Sequence, residues 1–523
     1  MLSAAVNVRK KRCHAANRCQ KLTWTLNQVL LATRGRVIAV PAGKFDRKNR
    51  TAGQASLSDI RFQQISIDTR TIGRGDLFLA LRGENFDGTD FIPEAIRKGA
   101  AGLIISSSRC DEVLAVVRGQ SRSGAHPVLP LVLVDDPLTA LGDLAAFRRS
   151  LMPDLKVIAI TGSSGKTTVK EMAAAIIARK YSTLKTKGNF NNLVGLPLTL
   201  LGVEETHQVA VLEMGMNMPG EIARLTEIAD PDIGIIVNIH PAHLAGLKDI
   251  AGVAKAKKEL FANSKTWSTI VVNNDDPLVR SVARGQRQRK IGFAATPPGR
   301  RHGGLIRATR ISNLGPEGMA FTLHIGPESK RVRIRAIGPH NVGNGLAAAA
   351  LAHAAGLSLK DIAIGLSAFN GFDKRAQIMA RPLNGLRVIN DTYNANPASM
   401  QAAIDMLSQL KEDHRAIAVI GDMLELGDYS VAAHQEAGRN IGRAAIDFLA
   451  AYGDFAPEVV GAARVAGMAA DRARAFADKG EITAWLKKLR HDNLLAPGDW
   501  LLLKGSRGMR METLIHDLAD EED

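Results

Sequence analysis

Twelve residues, Val157-Ile158-Ala159-Ile160-Thr161-Gly162-Ser163-Ser164-Gly165-Lys166-Thr167-Thr168, join an apolar run to two closely spaced glycines, a lysine and two threonines. Gly162 and Gly165 let backbone N–H groups turn inward round phosphate oxygens. A helix starting beside them adds the positive end of its dipole. Lys166 can then reach terminal phosphates, and the Thr167 hydroxyl can bind Mg2+. Longer loops of this type carry a glycine where Ile160 stands, so this is a short form, Gly-x-x-Gly-Lys-Thr-Thr. The strand-like run before it and the helical pattern after it distinguish a nucleotide loop, Gly162 to Thr168, from a chance Gly-Lys-Thr.

Other polar groups follow apolar runs in the same way. Glu213 closes Val209–Leu212 and offers a carboxylate oxygen for Mg2+, although a capping or salt-bridged glutamate reads equally well. His240 and His243 follow Ile233–Val237, and one of the two is a candidate metal ligand. Val253 to Phe261 reads as a helix with Leu260 and Phe261 on its buried side. Spacing alone selects none of its lysines, 255, 257 or 258. Asp391 and Asn394 follow Val388–Ile389, where a ribose, a metal or an amine would be met. Gly421-Asp422-Met423-Leu424-Glu425-Leu426-Gly427 follows Ile417–Ile420. Each cluster alone is a plain turn; several in one chain point to a cleft.

These groups need strands to hold them. Val157–Ile160, Val209–Leu212, Ile233–Val237, Ile270–Val272, Val388–Ile389, Ile417–Ile420 and Trp500–Leu503 are candidate buried strands, mostly followed by helical segments. That alternation predicts α/β units with parallel sheets, whose ligands sit at the carboxyl ends of the strands. Gly345 to Leu359 reads as a buried helix. Residues 62–150 read as a separate small α/β domain, 36–56 as loop, and 371–386 as a hinge. A chain of 523 residues predicts two to four domains.

The formal charge of +16 resembles that of a nucleic-acid binder, but residues 1–50 carry twelve Lys and Arg against one acid, Asp46. A basic tail on a nearly neutral body is a poor reason to invoke DNA. Residues 1–21 contain Arg9-Lys10-Lys11-Arg12 with no apolar run after it, and read as a disordered extension or an early start. Cys13, Cys19 and Cys110 match no zinc or redox spacing, and predict a reducing, cytoplasmic setting. No apolar run approaches the ~18 residues of a membrane span.

Taken with Asp68-Thr69-Arg70, Gly75-Asp76-Leu77-Phe78, Thr186-Lys187-Gly188-Asn189-Phe190-Asn191-Asn192, Glu213-Met214-Gly215-Met216, Asn390 to Pro397 and Gly421 to Gly427, the chain resembles the Mur ligases over roughly residues 22–515. It is most similar to the branch that adds D-alanyl-D-alanine to a UDP-N-acetylmuramoyl tripeptide. The resemblance implies three domains: a UDP-substrate domain at 22–150, a central P-loop ATPase domain with a parallel sheet at 151–372, and a Rossmann-like domain at 373–523. It implies ATP, two Mg2+ sites and an acyl-phosphate intermediate in peptidoglycan precursor synthesis, with a monomer expected.

By position, the resemblance makes Thr167 and Glu213 ligands of a first Mg2+, and His243 a ligand of a second. Lys257 matches the lysine that related ligases carbamylate. Asn341 is similar to an adenine-contacting residue, and Arg375 and Asp391 to residues that reach ATP phosphate and ribose. Ser66, Thr69, Arg70, Asn189 and Asn192 fall on the UDP-peptide side, and Asn394 and Asn396 on the dipeptide side. Two positions depart from the family pattern: Ala245 stands where an acid is frequent, and Thr89 where a histidine is. A ligase for another amino acid, or a nucleotide-binding scaffold, are the rival readings. Asp391 to Pro397 argues against the first. The joint presence of Lys166, Glu213, His243, Lys257 and Asp391 argues against the second.

Overall fold

The computed structural model describes residues 23–41, 57–83, 86–119, 128–295, 306–369, 371, 374–379 and 385–519. The expectations for residues 1–21, with Cys13 and Cys19, and for the 42–56 loop lie outside the described residues. The chain forms two compact units, Met1–Pro137 with Gly202–Thr206, and Leu138–Leu201 with His207–Asp523.

The first unit is built on a five-stranded sheet. Its order is Arg36–Pro41, Val128–Val134, Gly102–Ser106, Leu77–Leu79, Ile65–Ser66. The first pair is antiparallel and the rest are parallel. Phe78, Ile92, Leu103, Ile105 and Leu131 share one apolar core with the helices Ile92–Arg97 and Cys110–Arg118. The small α/β domain is therefore present, but residues 36–41 are strand, not loop. Val37-Ile38-Ala39-Val40 is β-prone, and its antiparallel partners, 89 to 95 residues away, leave no local trace.

The second unit contains two sheets. The elements that carry its polar groups are β1 (Lys156–Thr161), α1 (Lys166–Ile177), β2 (Val209–Glu213), β3 (Ile233–Ile236), α2 (Ile250–Asn263), α3 (His340–Ala354), β4 (Arg387–Asp391), α4 (Pro397–Leu410), β5 (Ala416–Gly421) and β6 (Trp500–Lys504). All seven strand runs expected from the sequence are strands. The larger sheet has nine strands, with β1 between β2 and β3. From Thr183–Lys185 at one edge through β2, β1, β3, Thr269–Asn273 and Arg289–Ala294 to Ile306–Asn313, neighbours are parallel. Met319–Ile325 and Glu328–Ile334 then add an antiparallel extension. This extension was not anticipated; its alternating strands are short of the continuous apolar runs that mark the buried ones.

Strands β1, β2 and β3 are apolar almost throughout because helices cover both faces of their sheet. Helix α3 holds six successive buried residues, Ala347 to Ala352, that share a core with α1. The buried segment expected at 345–359 breaks at Gly356 (φ +92°), and a new helix, Leu359–Ser367, starts after the Ser358 cap. The smaller sheet has the order Gln377–Ile378, β4, β6, β5, Phe448–Tyr452, Ala473–Phe476. All of its pairs are parallel except the first. In the larger sheet the chain winds to one edge from β1 and then back past it through β3, and in the smaller sheet the last strand, β6, inserts between β4 and β5. The loops at their carboxyl ends therefore face a crevice.

Candidate active site

The phosphate loop leaves the carboxyl end of β1. Gly165 caps α1 with φ +75°, and a Cβ there would lie 2.6 Å from the Asn344 Oδ1. Only glycine satisfies both demands. The loop is fastened to the segment after β3. Ser163 Oγ donates to the His240 carbonyl (2.8 Å) and accepts from its N–H (2.9 Å), while the Ser164 N–H donates to Asn238 Oδ1 (2.9 Å). Both serine positions of the loop thus shape its backbone. Lys166 is half-buried and its Nζ donates to the Gly162 carbonyl at 2.7 Å. Burial lowers its pKa, partly opposed by Glu213 and Glu425 and reinforced by Arg375.

Thr167 joins the two sheets. Its buried hydroxyl donates to Glu213 Oε2 (2.9 Å) at the end of β2 and accepts from Arg375 Nη2 (2.8 Å), just ahead of the smaller sheet. The other Glu213 oxygen accepts from Asn191 Nδ2 (3.0 Å), and the fully buried Lys170 Nζ lies 3.8 Å from Oε2. Removing one partner from a buried charge pair of this kind costs about 3–5 kcal/mol. Arg375 lies 4.2 Å over the Tyr393 ring, and its Nε is buried without a hydrogen-bond partner.

From the smaller sheet, Asp391 ends β4 and Lys504 ends β6. They pair at 2.5 Å, and Lys504 also donates to the Asn394 carbonyl (3.1 Å). The second Asp391 oxygen accepts from the Ala376 N–H at 3.0 Å. Asn394 Oδ1 accepts from the Ala395 N–H, and Asn396 Oδ1 caps α4 at the Ser399 N–H, both at 2.9 Å. Asn396 Nδ2 reaches back to the Ser163 carbonyl at 3.4 Å.

A cavity of about 580 Å3 lies among these groups, lined by the loop from Ser163 to Thr168, Arg375, Asp391, Asn394, Asn396 and Lys504. Phe293 and Phe369 line it too, as does Asn341 at the start of α3. Asn341 Nδ2 donates to the Ile337 carbonyl (2.7 Å), and its Oδ1 accepts from Asn344 Nδ2 (2.9 Å).

His243 follows β3 in a left-handed conformation (φ +55°), with Nδ1 2.7 Å from Glu425 Oε2 in the loop after β5. The His243 hydrogen bond holds the Glu425 pKa below the usual range, helped by Lys166. Lys257 is fully buried on α2, whereas Lys255 and Lys258 are exposed. Burial pushes the Lys257 amine far below an ordinary lysine, and the Lys166 charge pushes it further.

The remaining candidates are elsewhere. Thr69 Oγ1 donates to Glu94 (2.9 Å), exposed Arg70 pairs with Asp68 (2.6 Å), and Ser66 Oγ donates to the Asp68 carbonyl (3.1 Å), all in the first unit. Thr89 has its N–H capped by Asp87 (2.9 Å). Asn189 is exposed, and Asn192 Oδ1 caps the helix Gly195–Leu201 at 2.9 Å. Sequence reasoning passed over Asn191, Lys504 and Glu425. Lys504 stands directly after the candidate strand Trp500–Leu503, the place where such folds carry ligand groups, so that signal was available. Glu425 lies in the Gly421–Gly427 cluster and Asn191 in the Thr186–Asn192 motif, so their segments were marked, but nothing singled out either residue within its segment.

Three family models match successive parts of the chain: "Mur ligase family, catalytic domain" at 61–149, "Mur ligase middle domain" at 160–352 and "Mur ligase, glutamate ligase domain" at 374–507. The class is thereby the Mur ligases, with their three-domain architecture. Among curated proteins, the UDP-N-acetylmuramoyl-tripeptide–D-alanyl-D-alanine ligase of Escherichia coli K12 is 35% identical over 472 residues, 90% of this chain and 96% of that one. The ligase of the same name from Bacillus subtilis 168 is 35% identical over 457 residues, 87% and 93% of the two chains. A crystal structure of MurF from Acinetobacter baumannii aligns with TM-score 0.80 and 33% identity, covering 96% of this chain and all of the other. MurF ligase from Thermotoga maritima in complex with ADP aligns with TM-score 0.71 and 26% identity, over 88% and 97%. The chain belongs to the UDP-N-acetylmuramoyl-tripeptide–D-alanyl-D-alanine ligase family.

Proposed function

We propose that this protein joins D-alanyl-D-alanine to the peptide carboxylate of a UDP-N-acetylmuramoyl tripeptide, using ATP, in peptidoglycan precursor synthesis. The observation that carries the reading is the Thr167 hydroxyl, bonded at once to Glu213 and Arg375. It brings phosphate-binding groups of the larger sheet to a cation carried by the smaller one.

A carboxylate is a poor electrophile because oxide is a poor leaving group. Its oxygen first attacks the γ-phosphorus of ATP, ADP leaves, and an acyl phosphate forms. The dipeptide amine then attacks the carbonyl carbon, phosphate leaves, and the amine sheds a proton. The first step brings anions together, so its barrier falls where cations are already in place. Lys166 and Arg375 are those cations; the buried, unpartnered Nε of Arg375 has a donor to spare for a phosphate oxygen. Gly162 to Thr168 cradle the phosphates. Asn341, which lines the cavity as Phe293 and Phe369 do, serves adenine, and Asp391 serves the ribose. Ser66, Thr69, Arg70, Asn189 and Asn192 are assigned to the UDP-peptide, and Asn394 and Asn396 to the dipeptide.

Among the described residues no group of three or more His, Cys, Asp or Glu stands together. That suits Mg2+, which takes one or two protein oxygens and completes its shell with phosphates and water. Thr167 and Glu213 offer the hard oxygen pair for one ion, and His243 with Lys257 would hold a second. Bound there, Mg2+ neutralises the phosphates and orients them. Lys257 fits carbamylation, since burial and the Lys166 charge both favour the neutral amine, and only a neutral amine takes up CO2. Domain limits at 22–150, 151–372 and 373–523, a monomer, and a cytoplasmic site where ATP is supplied complete the proposal. No described helix is long and apolar enough to cross a membrane.

The test is isotopic. A UDP-muramoyl tripeptide with 18O in its terminal carboxylate is turned over with ATP and D-alanyl-D-alanine. One 18O per turnover in the released phosphate is expected; phosphate free of 18O would exclude the acyl phosphate.

A further inference from the structure

Of the two acids in the loop Gly421 to Gly427, both unused by the mechanism above, Glu425 is the one that meets His243. Glu425 Oε2 lies 2.7 Å from His243 Nδ1. An ionised carboxylate only accepts, so Nδ1 carries the proton and the free lone pair of a neutral ring is on Nε2. Both residues sit at positive φ, His243 at +55° and Glu425 at +65°, a conformation uncommon outside glycine, which histidine adopts more readily than glutamate. Two such residues meeting in one hydrogen bond mark a place where the surrounding structure overrides local preference.

The contact involves the whole loop. The Ala245 N–H points to the Glu425 carbonyl at 3.4 Å, and a Cβ on Gly427 (φ +56°) would lie 3.2 Å from the Ala245 Cα. The loop is in turn fixed to its own sheet: the Leu424 N–H donates to Ser506 Oγ, and the Met423 N–H to the buried His434 Nε2, both at 2.9 Å. Glu425 thus arrives as a rigid part of the smaller sheet.

We propose that Glu425 is a positioning residue: it sets the ring orientation and tautomer of His243 so that Nε2 faces a metal ion. The second metal site is then complete only when the loop after β5 has docked on the segment after β3. The inference rests on the assignment of His243 as a metal ligand. Carboxylate–histidine–metal relays of this form hold a ring in one orientation, and losing the carboxylate typically weakens metal binding by about 10–100-fold. An exposed ion pair with no such duty would contribute little and leave metal affinity untouched.

The test titrates Mn2+ into the full chain with a non-hydrolysable ATP analogue, following free Mn2+ by electron paramagnetic resonance. Wild type, Glu425→Ala, Glu425→Gln and His243→Ala are compared, with melting temperatures as a check on folding. Two sites are expected in wild type. Glu425→Ala should weaken the looser one by about 10-fold or more and lower kcat with the KM for ATP unchanged. Glu425→Gln, whose amide oxygen still accepts from Nδ1, should recover most of both. The tighter site should be alike in all four proteins. If His243→Ala loses the looser site and Glu425→Ala keeps it, the positioning role is overturned while the metal assignment stands. If His243→Ala itself binds like wild type, the metal assignment falls and this inference with it.

Discussion

A lysine amine pays a large desolvation cost when no water reaches it, and it escapes by losing its proton. Lys257 is fully buried, which favours its neutral form; Lys258, one step round α2, is in solvent. Spacing alone did not select among these lysines and the family resemblance singled out Lys257; in the structure it shares the buried face of Leu260 and Phe261, three and four residues on. Lys257→Ala should therefore cut turnover by about 10²-fold or more, as expected when a charge-stabilising group is lost, and Lys258→Ala should leave it within about twofold. Short carboxylic acids added to the first variant should restore part of the rate by supplying an anionic oxygen. Steady-state rates of the two variants check this; a sensitive Lys258 or an indifferent Lys257 would contradict it. Ser163 and Ser164 show the limit of residue-scale reading. Their types fit a phosphate loop, yet their hydrogen bonds run to His240 and Asn238, partners that adjoin them only once β1 and β3 lie side by side.

The strands that bear chemistry were the most legible elements, since burial on both faces of a sheet requires unbroken apolar runs such as Val157–Ile160 and Trp500–Leu503. Polar groups at their carboxyl ends followed from the same rule. The extension from Met319 to Ile334 was not legible: its strands alternate, the edge strand Glu328–Ile334 is largely exposed, and nothing in a half-polar pattern says which sheet it joins. The phosphate loop depends on one element boundary, the Gly165 turn between β1 and α1. Alanine there would hold a disfavoured φ of +75° and press a methyl group against Asn344. Gly165→Ala is expected to lose about 1–2 kcal/mol or more of stability, with ATP affinity falling at least about tenfold, equivalent to 1.4 kcal/mol. Denaturant unfolding and calorimetric titration of an ATP analogue measure both. Unchanged ATP affinity would mean that the loop tolerates another backbone shape and is not the phosphate cradle.

Across the second unit, three contacts link the two sheets through the groups assigned to catalysis: Arg375 to Thr167, Asn396 to Ser163, and Glu425 to His243. None could be placed from sequence, because each pairs residues 182 to 233 positions apart. The family resemblance supplied the roles, and the structure supplied the meeting. If these contacts serve one reaction, then phosphate transfer and amine attack are coupled, and ATP should not be spent productively without both acceptors. The direct measurement is ADP release by the full chain against a panel of UDP-N-acetylmuramoyl peptides, each with and without D-alanyl-D-alanine. The account predicts sustained release only with a UDP-muramoyl tripeptide and the dipeptide together, at one ADP per amide bond formed. Release that is indifferent to D-alanyl-D-alanine, or that prefers a single amino acid in its place, would contradict it.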